Sequence, residues 1–295
     1  MEKIKYLFAN PYSQLQNEAI PTLMECFDEW QMFTQMYGFT FPFYEVSFLA
    51  IDENTNKVIA HAGIMPFTMT NSDKKVLKVA GLASVATSPQ YRKRGIANKL
   101  CTLAKEWAIA NNFDLMALYT QFFRVYESCN WSIYNTTYQA YQNPNFNGTV
   151  VPGLLGSQLT LQQKEIIQSA YNNEEPFTGF VKRNNGDYFH DWNRLFRESF
   201  CQWYIKNDSY ILAIENVIAE AAGDPKDLLA LAQNFPSSFT SKDSKIATIL
   251  KENNWTKQNL KEEELPFWHH ERVMTLPLTK EGKNATLFFS LSDKF

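Results

Sequence analysis

Residues 79–97 read VAGLASVATSPQYRKRGIA, and this stretch decides the fold. Val79 to Thr87 is small, apolar and β-branched, the composition of a buried strand. Ser88-Pro89 punctuates it, because proline cannot continue a central strand. The basic turn Gln90 to Ala97 follows. Beyond it Leu100, Leu103, Ala104 and Trp107 recur at three- and four-residue spacing, the pattern of an amphipathic helix. A basic, glycine-containing turn at a helix N-terminus predicts an anion site. The first backbone N–H groups of a helix lack intrahelical partners, and the positive end of its dipole favours negative charge. Gly95 and Ala97 leave room for phosphate oxygens to approach the backbone, while Arg92, Lys93 and Arg94 add charge-assisted donors for a pyrophosphate and a neighbouring phosphate.

The rest of the composition makes this basic cluster local. Lys plus Arg number 28 against 31 Asp plus Glu, a net charge of -3, which argues against a protein whose main work is binding nucleic acid. With 45% hydrophobic and 20% charged residues the chain is globular, and its 295 residues exceed the usual size of one hydrophobic core, so two domains are expected. Cys26, Cys101, Cys129 and Cys201 show no CxxC or Cys/His metal spacing and read as free thiols in a reducing cytoplasm. The N-terminal apolar stretch is too short for a signal segment, and no apolar run reaches membrane-spanning length. A cytoplasmic protein with no membrane or nucleic-acid partner is expected.

Outward from the central stretch, the chain repeats itself. Phe48-Leu-Ala-Ile51, a polar turn and Val58-Ile-Ala-His-Ala-Gly63 read as a β-hairpin; Ile211-Leu-Ala-Ile214, Glu215-Asn216 and Val217-Ile-Ala-Glu-Ala-Ala-Gly223 repeat it. Aromatic helical stretches precede each, over Cys26 to Tyr37 and Tyr188 to Tyr204, and Tyr126-Glu-Ser-Cys-Asn-Trp131 is echoed by Leu250-Lys-Glu-Asn-Asn-Trp255. Three matches in one order predict two copies of one α/β unit. Gly63 to Trp131 spans 68 positions and Gly223 to Trp255 only 32, so the second copy is expected to lack the stretch around Val79 to Ala97, with a short helix near Pro225 to Phe235 in its place. Asn, Pro and Gly crowd Asn143 to Gly156, which reads as the linker, and Thr286 to Leu291 reads as a late strand.

Strand, Arg92-x-x-Gly95-x-Ala97, then helix resembles the acyl-CoA signature of the GNAT N-acetyltransferase superfamily. Val85-Ala-Thr-x-Pro89, the later strand Asp114 to Tyr119, and Tyr126 followed by Asn130-Trp131 fall where that family places its fourth strand, fifth strand and a Tyr-x-x-x-Gly-Phe ending, with Asn130 in place of the glycine. The resemblance implies an α/β fold with a mixed sheet. It implies that the backbone of Val85, Ala86 and Thr87 binds the pantetheine arm, that Arg92, Lys93, Arg94, Gly95, Ile96 and Ala97 bind the pyrophosphate, and that Tyr126 is the general acid. The chemistry agrees, since a phenol of ordinary pKa about 10 can protonate a leaving thiolate of pKa about 8.5. The whole chain is similar to the Eis-type acetyltransferases, in which an active GNAT unit precedes a degenerate one; their third, sterol-carrier-like domain is not part of this sequence. The implied units are 1–142, catalytic, and 157–295, degenerate, since Leu250 stands where Tyr126 does and no Arg-x-x-Gly-x-Ala follows the second hairpin.

The expected activity is acetyl-CoA-dependent acetylation of a primary amine on a small molecule, an aminoglycoside-like polyamine or a peptide, with no metal. Homo-oligomer formation is left open. The rivals are an acyl-CoA sensor without turnover and a tandem-fold transferase using aminoacyl-tRNA, against which the net charge of -3 argues. Tyr119 is the next candidate acid. His61 and Cys129 read as structural, and His269-His270 beside Glu271 as unsuited to a metal because neighbours on a strand point apart. Trp30, Phe33, Tyr37, Phe39, Phe41 and Phe43, with Glu25, Asp28, Glu29 and Glu45 nearby, are candidates for the acceptor pocket or equally for the core; the resemblance to Eis-type enzymes, whose chain terminus reaches the site, draws attention to the Phe295 carboxylate, which reads here as a solvated tail.

Overall fold

The computed structural model describes residues 3–11, 13–27, 44–134, 138–149, 151–174, 180–183, 192–197, 200–214, 217–241, 244–259, 272–287 and 289. In chain order the first half runs β1 (Ile4–Ala9), α1 (Gln14–Asn17), α2 (Ile20–Cys26), β2 (Val46–Asp52), β3 (Lys57–Thr70), β4 (Val76–Thr87), α3 (Ile96–Ala110), β5 (Leu115–Thr120), α4 (Phe123–Glu127), β6 (Ser132–Tyr134) and β7 (Tyr138–Gln142). The second half runs β8 (Leu154–Leu155), α5 (Leu161–Asn173), α6 (Trp192–Arg197), β9 (Cys201–Lys206), β10 (Ser209–Ile214), β11 (Val217–Ala222), α7 (Pro225–Ala232), β12 (Ser237–Ser241), α8 (Lys245–Glu252), β13 (Thr256–Gln258), β14 (Arg272–Pro277) and α9 (Lys280–Asn284).

These strands make two seven-stranded mixed sheets, β1-β2-β3-β4-β5-β14-β6 and β8-β9-β10-β11-β12-β7-β13. The chain is thus α/β, built from two units of one plan. Among the described residues, a pair of helices separates the first two strands in each, an antiparallel meander follows, and one parallel crossover carries the chain through a helix: β4-α3-β5 in the first, β11-α7-β12 in the second. The covering face of α3 is the one its spacing predicts, with Leu100 and Ala104 fully buried and Leu103 and Trp107 packed on the same cluster.

The position of the repeat differs from the sequence expectation. Topology sets β10 and β11 opposite β3 and β4, one hairpin later than the Val-Ile-Ala strings suggest, and β9, opposite β2, takes up Cys201 to Tyr204, which read as helix. The second unit therefore lacks no strand. It is shorter because its elements are: β11 has 6 residues against 12 in β4, and α7 has 8 against 15 in α3. The third match holds to the level of single hydrogen bonds. Trp131 N–H donates to Tyr126 O at 3.2 Å and Trp255 N–H to Leu250 O at 3.0 Å, across Asn130 and Asn254 at φ 66° and 62°.

Each unit also lends the other a strand. β14 lies between β5 and β6, and β7 lies between β12 and β13. Met274 and Leu276 enter the first core beside Leu100 and Trp131, while Tyr141 enters the second beside Leu250 and Trp255. The boundaries 1–142 and 157–295 thus follow the chain, whereas the sheets cross them. Of the expected late strand, Thr286, Leu287 and Phe289 are described and form none; Leu287 is instead tied by its backbone to the Tyr134 hydroxyl.

Candidate acyl-coenzyme A site

The site is built where β4 and β5 part. Parallel pairing joins them only at Val79–Leu115, Ala80–Met116 and Gly81–Ala117; beyond Gly81, β5 pairs with β14 on its other side, while β4 continues along β3 to Thr87. Among the described residues, no strand pairs with the edge of β4 from Leu82 to Thr87 that would face β5. Unpaired backbone groups on a buried strand seek hydrogen bonds, and a ligand with an amide-rich arm supplies them. Thr87 Oγ1 is likewise buried and has no hydrogen-bond partner among the described residues. Val85 and Thr87 are half-buried and Ala86 is buried.

The turn that follows is anchored from below. Ser88 N–H donates to Ile59 O at 2.9 Å, Pro89–Tyr91 make one 3-10 turn, and the Tyr91 hydroxyl donates to Asp52 Oδ2 at 2.7 Å. Asp52, whose carboxyl is held below its ordinary range first by Tyr91 and then by Asn54 N–H, thereby fastens the turn to the β2–β3 hairpin. Lys93 and Gly95 both take left-handed conformations, φ 63° and 76°, a cost about 1 kcal/mol or more for the lysine that glycine escapes. The backbone so shaped reaches α3 with Gly95 as its N-cap and no side chain capping it. A Cβ at Gly95 would meet nothing within 4 Å, so the approach to these N–H groups is open. Arg92, Lys93 and Arg94 are exposed, Ile96 is buried and Ala97 half-buried. Arg92 Nε donates to Thr87 O at 3.0 Å and Arg94 to Gln90 O at 2.8 Å, with the Arg94 guanidinium 5.1 Å from the Tyr91 ring. The arrangement is an open, positively charged cradle at a helix N-terminus.

Tyr126 sits on α4, half-buried, its ring 6.1 Å from that of Trp131 and edge-on. It packs on the same cluster as Val85, and Asn98 at the start of α3 reaches Ser128 at 3.4 Å, so the turn and the tyrosine helix stand together. Burial raises the phenol above its ordinary value, with Cys101 and Cys129 adding to it, which keeps the proton on oxygen through neutral pH. Its hydroxyl has no hydrogen-bond partner among the described residues. Asn130 adopts the left-handed conformation that glycine would, as asparagine tolerates.

The chain carries one positive cradle of this form among its described residues, because the second unit fills the equivalent place with carboxylates. Asp224 caps α7 through Lys226 and Asp227 N–H at 2.8 and 3.4 Å, and Glu174 accepts from Gly223 N–H at 2.7 Å. An open cleft of about 860 Å³ over this end is lined by Glu165, Glu174, Asp208 and Asp224 against Lys245, the wrong sign for a pyrophosphate.

A family model described as an acetyltransferase (GNAT) domain matches residues 13–134. Residues 13–134 are a GNAT acetyltransferase domain. The GNAT domain contains every residue of the cradle, the open β4 edge and Tyr126. Solved structures extend the likeness over both units. A probable N-acyltransferase from Enterococcus faecalis superposes with a TM-score of 0.65 at 14% identity, covering 95% of this chain and 74% of that one. A GCN5-related N-acetyltransferase from Anabaena variabilis gives 0.62 at 15% identity, and Eis1 from Mycobacterium abscessus 0.62 at 12%, each with the same coverage. At such identities the likeness is one of fold. No curated protein matches in sequence.

The other candidates separate from this site. Tyr119 packs on a different cluster, edge-on to Phe289 at 6.4 Å. His61 is fully buried between Ser47 and the Ser84 carbonyl, at 2.9 and 2.8 Å, and burial lowers its pKa to about 4. Cys129 is half-buried and Cys101 buried, the latter thiol pushed up to about 12 by burial; none of the four cysteines is in a disulfide. Glu25 and Glu45 are exposed. Asp28, Glu29, Trp30, Phe33, Tyr37, Phe39, Phe41, Phe43, His269, His270, Glu271 and Phe295 lie outside the described residues. Two participants escaped the sequence reading: Asp52, which looks like an ordinary turn residue, and Cys26, whose sulfur lies 3.4 Å from Thr87 O and 3.8 Å from the Arg92 guanidinium. No helix among the described residues is long and apolar enough to cross a membrane.

Proposed function

We propose that this chain is an acetyl-CoA-dependent N-acetyltransferase that acetylates a primary amine by direct attack in a ternary complex. The observation that carries the reading is the continuous run from the unpaired edge of β4 to the uncapped, left-handed basic turn at α3. In this reading the backbone of Val85, Ala86 and Thr87 takes the amides of the pantetheine arm, and Thr87 Oγ1 gains the partner it lacks. The N–H groups of the Arg94–Ala97 turn, with Arg92, Lys93 and Arg94, take the pyrophosphate.

The neutral amine attacks the thioester carbon, forming a C–N bond as the carbonyl becomes a tetrahedral oxyanion. Collapse breaks the C–S bond, Tyr126 gives its proton to the departing thiolate, and the proton shed by the attacking nitrogen passes to solvent, from which the phenolate is reprotonated, so amide and thiol form with no net proton change. The phenol is protonated at neutral pH, and its hydroxyl has no hydrogen-bond partner among the described residues, so it is available for that task. Alignment of amine and thioester supplies much of the remaining acceleration. The second unit, whose equivalent cradle is filled by its own carboxylates and whose Leu250 stands in the place of Tyr126, bounds the acceptor cleft without binding coenzyme. The acceptor is a small molecule, an aminoglycoside-like polyamine or a peptide.

Thiol release from acetyl-CoA, followed across a panel of primary amines, tests the proposal. Amine-dependent release with an acetylated product supports it. Coenzyme binding with no release from any amine would favour a sensor of acyl-CoA instead.

A further inference from the structure

Asn147 and Gly148 stand in the connection between β7 and β8, whose two ends are fastened. At the first end Asn143 N–H donates to Pro236 O at 3.0 Å, its Nδ2 donates to Gln233 Oε1 at 2.9 Å, and its Oδ1 accepts from Asn145 N–H at 3.0 Å. At the second end Gly153 N–H donates to Gln202 Oε1 at 3.2 Å, and Leu154 and Leu155 pair with β9. Between them Asn147, Gly148 and Thr149 are exposed. Asn147 and Gly148 have no hydrogen-bond partner among the described residues, and a Cβ at Gly148 would meet nothing within 4 Å. The Asn147 side-chain amide and the Gly148 nitrogen are thus committed to no other group there.

An asparagine that precedes glycine is chemically labile. The glycine nitrogen carries no adjacent side chain to obstruct its attack on the asparagine side-chain carbonyl, and glycine lets the backbone reach the angle the attack needs. No other described asparagine precedes a glycine; Asn185-Gly186 lies outside the described residues. Asn112, Asn130 and Asn254 are followed by Phe113, Trp131 and Trp255, whose side chains crowd the nitrogen. Asn71 is buried, and its Oδ1 accepts from Asp73 and Lys75 N–H, each at 2.9 Å. Asn207 is held through Nδ2 by the Asp227 carboxylate.

We propose that Asn147 is a site of spontaneous covalent modification, deamidating through a cyclic imide in the folded chain and ahead of every other described asparagine. The Gly148 nitrogen gives its proton to solvent base and bonds to Asn147 Cγ, and the side-chain nitrogen leaves as ammonia. Water then opens the imide at either carbonyl. Cleavage of the bond to Cγ gives aspartate; cleavage of the main-chain bond gives isoaspartate, in which the chain runs through Cγ. One water is consumed and one ammonia released, with no oxidant and no cofactor. Either product sets a carboxylate into a run, 128–163, that otherwise contains no charged residue.

Incubation of the full chain in mildly alkaline buffer, followed by peptide mapping, tests this. Fragment spectra should place the amide-to-acid mass gain at residue 147, and an isoaspartate methyltransferase should label part of the product. The rate in the folded chain should lie within about threefold of the rate in urea, because opening an exposed loop costs close to nothing. Gly148→Ala, for which the structure leaves room, should melt as the wild type does and lose the modification over the same incubation. A slower folded-state rate, earlier modification of another described asparagine, or undiminished modification in Gly148→Ala would overturn the inference and leave the acetyl-CoA reading standing.

Discussion

Glu174 accepts a hydrogen bond from Gly223 N–H at 2.7 Å, and the same carboxylate oxygen takes the Lys245 ammonium at 2.6 Å. With Asp224 capping α7, the second unit satisfies from within the N–H groups that the first unit leaves open at Gly95 to Ala97. A phosphate entering there would have to displace two anions. Equilibrium titration should therefore find one acetyl-CoA per chain. A second site of similar affinity would contradict the assignment of these carboxylates.

Tyr126 carries a separate expectation. Replacing it with phenylalanine keeps the edge-on packing against Trp131 and removes only the proton donor. Turnover should fall by about 100-fold, in the range that general acid catalysis contributes, while coenzyme affinity holds within about twofold. Because burial raises the phenol above its ordinary value, the wild-type rate should climb with pH as the amine loses its proton and show no Tyr126-dependent decline below about pH 10. Unchanged turnover in the variant would remove Tyr126 as the acid.

Reciprocal strands make the two units one folding body. Without β14 the first sheet loses the strand between β5 and β6, and Met274 and Leu276 leave its core. Residues 1–142 expressed alone should fail to melt cooperatively, and Met274→Ala in the full chain should cost about 2–5 kcal/mol, as core methionine truncations do. A stable 1–142 fragment that binds acetyl-CoA would show the exchange to be dispensable.

Much of this was written in the sequence, and the parts that were not share a cause. The strand, basic turn and helix over 79–110 were legible because proline, glycine and apolar spacing act locally, and Trp131 and Trp255 because each follows a residue that must turn left-handed. Partnership between strands is not local. Tyr138–Gln142 reads as a strand in any sheet, so nothing in it announces that it pairs with β12. The short string Val-Ile-Ala records burial on a strand, and it occurs on β3 and on β11, which hold different places. Ser84, which takes φ 48° inside β4, is also silent, since a serine in an apolar run carries no sign of its φ angle, and only the fold sets the His61 ring beside its carbonyl.

His61 makes stability depend on pH in a stated direction. Its pKa falls from 6.5 unfolded to about 4 folded through burial, so the unfolded chain binds more protons between those values. The contribution is complete above about pH 6.5 and is lost as pH falls through that value toward 4. Tyr44, Ser47 and Ser84 are among the groups that face the ring, and the Tyr44 phenol, raised by burial, does not change charge in this window. From pH 7 to pH 5 the wild type should lose roughly 2 kcal/mol more unfolding free energy than His61→Asn, measured by urea denaturation. Parallel losses would mean the ring is not held neutral by the fold.

The central claim is that the turn at Arg92 to Ala97, joined to the open edge of β4, holds acyl-coenzyme A. Calorimetric titration with acetyl-CoA, in the wild type and with Arg92 and Arg94 both changed to alanine, tests it most directly. Saturable one-to-one binding, weakened about tenfold or more in the double variant as two charge-assisted contacts are lost, is the predicted result. A folded wild-type protein that gives no binding heat at millimolar acetyl-CoA and also fails to compete in a direct binding assay would contradict the account.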